Sequence, residues 1–298
     1  MEAIPHFWSP DNFDLDDELN RRIWDESPRL QQDIQVQQDV LSAGAIGAQQ
    51  AMVYEQPLPW VPDIIGKESR AEDGVLIVGS AYAGFISEHS TRARTMPLDV
   101  YEMCKNSADF QKQFLERVIR GDHDYYGKIQ RRAQKKWRPA QIALFDLCRV
   151  SFVRRSAVSH EPHKSGDGIA CSRPDVFALY VENAQPASWT WERILSSQAV
   201  EIIALGRIAE HGLLRLFASK GMSIRNDAGA EFALSKSKGG SWVSEYADSR
   251  FKLGYWEKNR SGWHIEGGSR TWKLFPRYHP SAWVQGHHAF ASAHVVKI

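Results

Sequence analysis

No apolar run in the chain approaches the roughly 18–20 residues that cross a bilayer, so a membrane-spanning helix is not expected. The start, MEAIPHFWSPDNFDLDD, has no basic segment followed by an apolar stretch, and a secretory leader is therefore not expected. Cysteine is scarce: Cys104, Cys148 and Cys171 stand alone and are odd in number. That argues against a disulfide framework and fits a reducing compartment, so a cytoplasmic location is the expectation. There is no CxxC pair, and hence no ligand set for a zinc ribbon or a four-cysteine iron–sulfur cluster. A GxSxG elbow is missing too, which disfavours a serine hydrolase. No internal repeat is present.

Ordinary amounts of most residue types remain. Of 298 residues, 43% are hydrophobic and 24% charged, enough for a substantial buried core. The net charge of +1 conceals strong local patterning. Residues 1–35 carry nine acids against Arg21, Arg22 and Arg29, a net −6. Residues 111–164 carry thirteen bases against five acids, a net +8, with Lys128, Arg131, Arg132, Lys135, Lys136 and Arg138 clustered. Such a segment inside a near-neutral chain suits a phosphate-binding face. On charge alone, a solvated helix face explains it equally well.

Residues 14–53 read as helical, until Pro57, Pro59 and Pro62 interrupt. Short apolar runs then alternate with helical patterns. Val75–Gly79 reads as a buried strand; Lys112–Arg138 as a basic helix closed by Pro139; Ile142–Val153 as a second strand. Val200–Gly206 is a third strand with a helix after it, and Thr271–Ser281 a fourth running into a loop, with a last helix near Trp283–Ala293. This alternation predicts an α/β fold with three layers, α/β/α, around a central, mainly parallel four-stranded sheet. Ligands of such sheets gather at the carboxyl ends of the strands. Residues 1–62 are expected to form an N-terminal helical extension and 63–298 the α/β domain. An insert at about 220–269, with Trp242, Trp256 and Trp263, reads as loops and hairpins.

Polar residues interrupt three strand ends. Gly79–Phe85 reads GSAYAGF, Phe145–Arg149 reads FDLCR, and Arg277–Trp283 reads RYHPSAW. Together with IIALGRIAEHGLL, this order resembles the uracil-DNA glycosylase superfamily over residues 70–298. In that family a glycine-rich loop follows strand one, an asparagine ends strand two, and an HPS motif follows strand four. The resemblance implies an enzyme that flips a nucleotide out of double-stranded DNA and hydrolyses its glycosidic bond, with no cofactor and no metal. His279, the HPS histidine, would donate to the base O2 as charge develops there. His287 and His288 lack a carboxylate or cysteine partner for a metal. Ser281, the final helix and Arg277 would contact phosphate. Trp283 stands where the family has a leucine wedge, although a tryptophan starting a helix is as often core.

Two departures from the family pattern are informative. Asp146 replaces the asparagine that reads the base edge. An ionised carboxylate only accepts hydrogen bonds, so it repels the O4 of uracil and welcomes the exocyclic amine of cytosine, by about 1–3 kcal/mol. Protonation by burial would blur that preference, and a structural pair with Arg149 would remove it. In the first motif Ser80 and Ala81 stand where the family places a water-activating acid, leaving Glu88 or Asp99 to supply one. Gly79, Tyr82 and Phe85 would line the base, an aromatic ring stacking on it. Lys135, Lys136 and Arg149 complete the expected DNA face.

The expected activity is thus a monofunctional glycosylase. Excision of plain cytosine would damage the host's own genome. A modified cytosine, hydroxymethylated or glucosylated as in phage DNA, resolves the conflict and points to antiviral defence. The alternatives are a DNA repair enzyme removing uracil and a non-catalytic DNA-binding relative.

Overall fold

The computed structural model describes residues 6–26, 62–81, 104–119, 124–148, 155–156, 159–162, 185–233 and 258–280. The strands among them are β1 (Ile64–Ile65), β2 (Val75–Ala81), β3 (Ile142–Cys148), β4 (Arg155–Ser156), β5 (Ser159–Pro162), β6 (Glu201–Leu205), β7 (Ser223–Asn226), β8 (Trp263–Gly267) and β9 (Arg270–Arg277). Four helices are bounded: α1 (Ser107–Ile119), α2 (Asp124–Ala133), α3 (Gln185–Ser196) and α4 (Arg207–Ser219). Residues 18–26 are helical as well. No helix among the described residues is long and apolar enough to cross a membrane.

One sheet organises the fold, in the order β1-β3-β2-β6-β9-β8-β7, while β4 and β5 form a separate two-stranded ribbon. The sheet is mixed. β3, β2, β6 and β9 run parallel to one another, whereas β1, β8 and β7 pair antiparallel at the two sides. Among the described residues the sheet therefore has seven strands and not the four expected. The additional pair at one side comes from the ends of the tryptophan-rich insert, whose four- and five-residue strands are too short to announce themselves by alternation.

β2 is apolar from Val75 to Val78 because it is central, with β3 and β6 on either side and both faces covered. α4 follows β6 after a single residue, Gly206, and packs against β2, β3, β6, β7 and β9. Its burial is almost complete, from Ile208 to Phe217. Within the basic segment expected as one helix, the described helical stretches are α1 and α2. α1 buries Phe110, Phe114, Leu115 and Val118 at helical spacing, and α2 buries Tyr126, Ile129 and Ala133.

The N-terminal residues brace this core. Phe7, Trp8, Phe13, Leu19 and Ile23 belong to the same buried cluster as the sheet, and Phe13 bridges to Gly66 beside β1. Arg193 on α3 donates to both oxygens of Asp17, at 2.8 and 2.7 Å, and to Asp63 at 3.1 Å. Asn20 joins this buried group by accepting from Arg193 and donating to the Asp63 carbonyl. Burial raises the Asp17 carboxyl, but the Arg193 guanidinium, the Asn20 N–H and Arg70 outweigh it and hold the group below its usual value.

Candidate active site at the strand ends

The register of β2 on β3 sets Gly79 opposite Asp146. Asp146 interrupts an otherwise apolar strand and stays partly accessible between buried Phe145 and Leu147. Its carboxylate lies over Gly79. A Cβ added to Gly79 would overlap Asp146 Oδ1, and Tyr125 Oη is 3.2 Å from the same point. Absence of a side chain at position 79 is what leaves room for both oxygens.

A second glycine performs the same service across the site. Gly206 ends β6 with φ +93° and donates its N–H to the Arg277 carbonyl at 2.7 Å, tying the ends of β6 and β9 together. A Cβ on Gly206 would sit 3.2 Å from His279 Cβ. His279 follows β9 after one residue, Tyr278, and its ring faces Tyr125 with centroids 5.5 Å apart. Burial first, and the charge of Lys128 second, lower the His279 pKa to about 4. The imidazole is therefore neutral at physiological pH, with one N–H to donate and one nitrogen to accept.

Tyr125 joins the two halves. It lies in the first turn of α2, where Tyr126 faces the core, stacking edge-on with Trp8 and Phe114, while Tyr125 reaches the strand ends. Burial, and then the Asp146 charge, push its phenol well above its ordinary pKa, so the O–H is retained. Neither the basic pattern of the helix nor any motif marked this residue. The one sequence signal was a pair of adjacent tyrosines, which on a helix cannot both face one side.

A carboxylate, a neutral imidazole and a phenol thus converge at the carboxyl ends of parallel strands. No protein-family model matches the chain, and no curated protein matches it. What the site can do must be argued from these groups. The set offers a carboxylate that only accepts, Asp146, and two groups able to donate, of different acidity, at the position where α/β sheets bind ligands.

The remaining expected residues divide into three groups. Ser80 is described, in β2 next to Gly79, and is buried. Tyr82, Phe85, Glu88, Asp99, Arg149, Ser281, Trp283, His287 and His288 lie outside the described residues. Among the cations, Lys135 is exposed just after α2. Lys136 pairs with Glu201 at 2.7 Å. Glu201 opens β6, so this pair sits at the amino end of the strands, opposite His279. Arg277 folds back, donating to the Pro276 carbonyl and covering Phe275. Burial, Arg260 and Arg132 lower its pKa, and Glu201 opposes them. Arg260 stacks on Tyr278, 3.7 Å from the ring centroid.

Trp263, one of the insert tryptophans, is buried in β8 and donates its indole N–H to Glu210 of α4 at 2.6 Å. It fastens the insert to the core. Trp242 and Trp256 lie outside the described residues. Among the described residues, no group of three or more His, Cys, Asp or Glu is arranged to hold a metal ion.

Proposed function

We propose that this chain is a monofunctional DNA glycosylase that flips a cytosine-type base out of double-stranded DNA and hydrolyses its N-glycosidic bond. The observation that carries this reading is the convergence of Asp146 and His279, from motifs 133 residues apart, on one strand-end site. In this reading β3, β2, β6 and β9 are the parallel centre of a three-layer α/β/α domain, and the flipped base enters at their carboxyl ends.

The proposed chemistry follows from the charges. As the C1′–N1 bond lengthens, its electron pair moves onto the base and negative charge grows at O2. A neutral imidazole N–H aimed at that oxygen stabilises the charge without first giving up a proton, an effect worth several kcal/mol. Water adds to C1′ and releases a proton, and the departing base takes one up. Ser80 stands where an acid would activate that water, so stabilisation of the leaving group carries most of the rate. Asp146, beside Tyr125, accepts from the exocyclic amine of a cytosine and repels the O4 of a uracil.

A cytosine bearing a hydroxymethyl or glucosyl group at C5 is the proposed substrate, because it separates foreign DNA from the cell's own. An antiviral role in the cytoplasm follows. The absence of an acid at Ser80 favours a second reading, a DNA-binding relative without catalysis.

The test is base release from duplexes containing uracil, cytosine, 5-methylcytosine, 5-hydroxymethylcytosine or its glucosylated form, scored by alkaline cleavage at abasic sites. Release confined to a modified cytosine, and lost in His279→Ala, is the expected outcome. Release of uracil alone would make the protein a repair enzyme. Salt-sensitive binding with no abasic product on any duplex would establish the second reading.

A further inference from the structure

Resting on the glycosylase reading, we infer that Tyr125 is a third base-reading residue, so that Asp146, Tyr125 and His279 together present an acceptor, a donor and a donor to the flipped base. Tyr125 is placed for this because it meets both partners. Its hydroxyl shares with the Asp146 carboxylate the space above Gly79, and its ring faces the His279 imidazole at 5.5 Å. The phenol therefore stands between the other two groups.

The pairing edge of cytosine runs from the N4 amine, a donor, through N3, an acceptor, to O2, an acceptor. Asp146 accepts from N4, the Tyr125 O–H donates to N3, and His279 donates to O2. This is the pattern guanine itself offers in a base pair. Uracil carries acceptors at O4 and O2 and a donor at N3, so it mismatches the site at Asp146 and asks Tyr125 to reverse its role. The O–H keeps its proton across the working pH range, since burial and the neighbouring carboxylate both oppose a phenolate. A substituent at C5 lies off the pairing edge. Tyr125 consequently reads N3 while Asp146 carries the discrimination against uracil, and recognition of the modification is left to other residues.

The experiment uses the full chain and duplexes carrying 5-hydroxymethylcytosine or its glucosylated form, whichever is released faster, and the same base with N3 replaced by C–H. Single-turnover release is measured for the wild type and Tyr125→Phe. The wild type is expected to lose about 10- to 100-fold when N3 is replaced, the worth of one buried hydrogen bond. Tyr125→Phe is expected to lose a similar factor on the parent base, and no more than about twofold further on replacing N3. Binding of 2′-fluorinated duplexes, which resist cleavage, repeats the comparison without bond breaking. A variant that keeps the full N3 penalty overturns the inference and leaves the glycosylase reading standing. Should Tyr125→Phe not fold, equal binding of the two fluorinated duplexes by the wild type overturns it as well. No release from any duplex overturns both.

Discussion

The Asp146 carboxylate occupies the space that a side chain at Gly79 would need. The two residues face each other across adjacent parallel strands, so the site's acceptor is held by an absence. Gly79→Ala is expected to turn the carboxylate aside, because the far end of one side chain yields more readily than two central strands. Base release should fall at least about 100-fold, the loss of a charged contact at about 3 kcal/mol, while melting drops only modestly. Excision kinetics and calorimetry on the same sample check this. Unchanged kinetics would place the working Asp146 elsewhere.

His279 gives a pH dependence with a definite sign. Its pKa is about 4 in the fold against 6.5 for a free imidazole. Between these values the unfolded chain binds the proton more readily, so folding stability is full above about pH 6.5 and declines as pH falls toward 4. Denaturation midpoints of the wild type should decline more steeply over that window than those of His279→Gln. Excision should show no acid limb near pH 6.5. A rate that halves at pH 6.5 and follows His279 would contradict the neutral imidazole.

Removing Arg193 leaves two buried carboxylates, Asp17 and Asp63, without their principal cation. Arg193→Ala is expected to cost about 3–5 kcal/mol. The loss should free residues 6–26 from α3, so that limited proteolysis cuts near the N-terminus before the rest of the chain. A denaturation midpoint within error of wild type would remove this network from the account of stability.

Gly206→Ala combines a backbone and a steric penalty. At φ +93° an alanine is strained by roughly 1–2 kcal/mol, and its methyl presses on His279 Cβ. The expected result is a small stability loss with a larger fall in the rate of bond breaking, because the imidazole is displaced from its aim. Single-turnover rates set against urea midpoints separate the two. A rate loss no larger than the stability loss predicts would show that His279 tolerates the shift.

Much of the parallel centre was legible because strands buried on both faces declare themselves as apolar runs. Val75–Val78 and Ile202–Leu205 are of this kind. Asp146 was legible for the opposite reason, as one charge in such a run, and His279 through its HPS turn. Tyr125 was not. It sits on a helix whose local pattern is basic, and its relation to the site arises from where α2 begins, beside the strand ends. The Arg193 network was equally hidden, since Asp17 lies 176 residues away and nothing local links the two. β7 and β8, read only as part of the loops and hairpins of the insert, escaped as sheet strands because both are short and a long excursion separates one from the other.

β9 is the last of the described strands, yet it lies inside the sheet, between β6 and β8. The order of synthesis is therefore at odds with the order in space. A nascent chain that has displayed β2, β3 and β6 still shows an open strand edge, and the imidazole has no Gly206 turn to rest on until residues 270–279 have left the ribosome. Contacts of such long sequence separation make folding slow and leave that edge exposed meanwhile. For a protein whose proposed activity damages DNA, the same arrangement would withhold His279 from the site until β9 is in place.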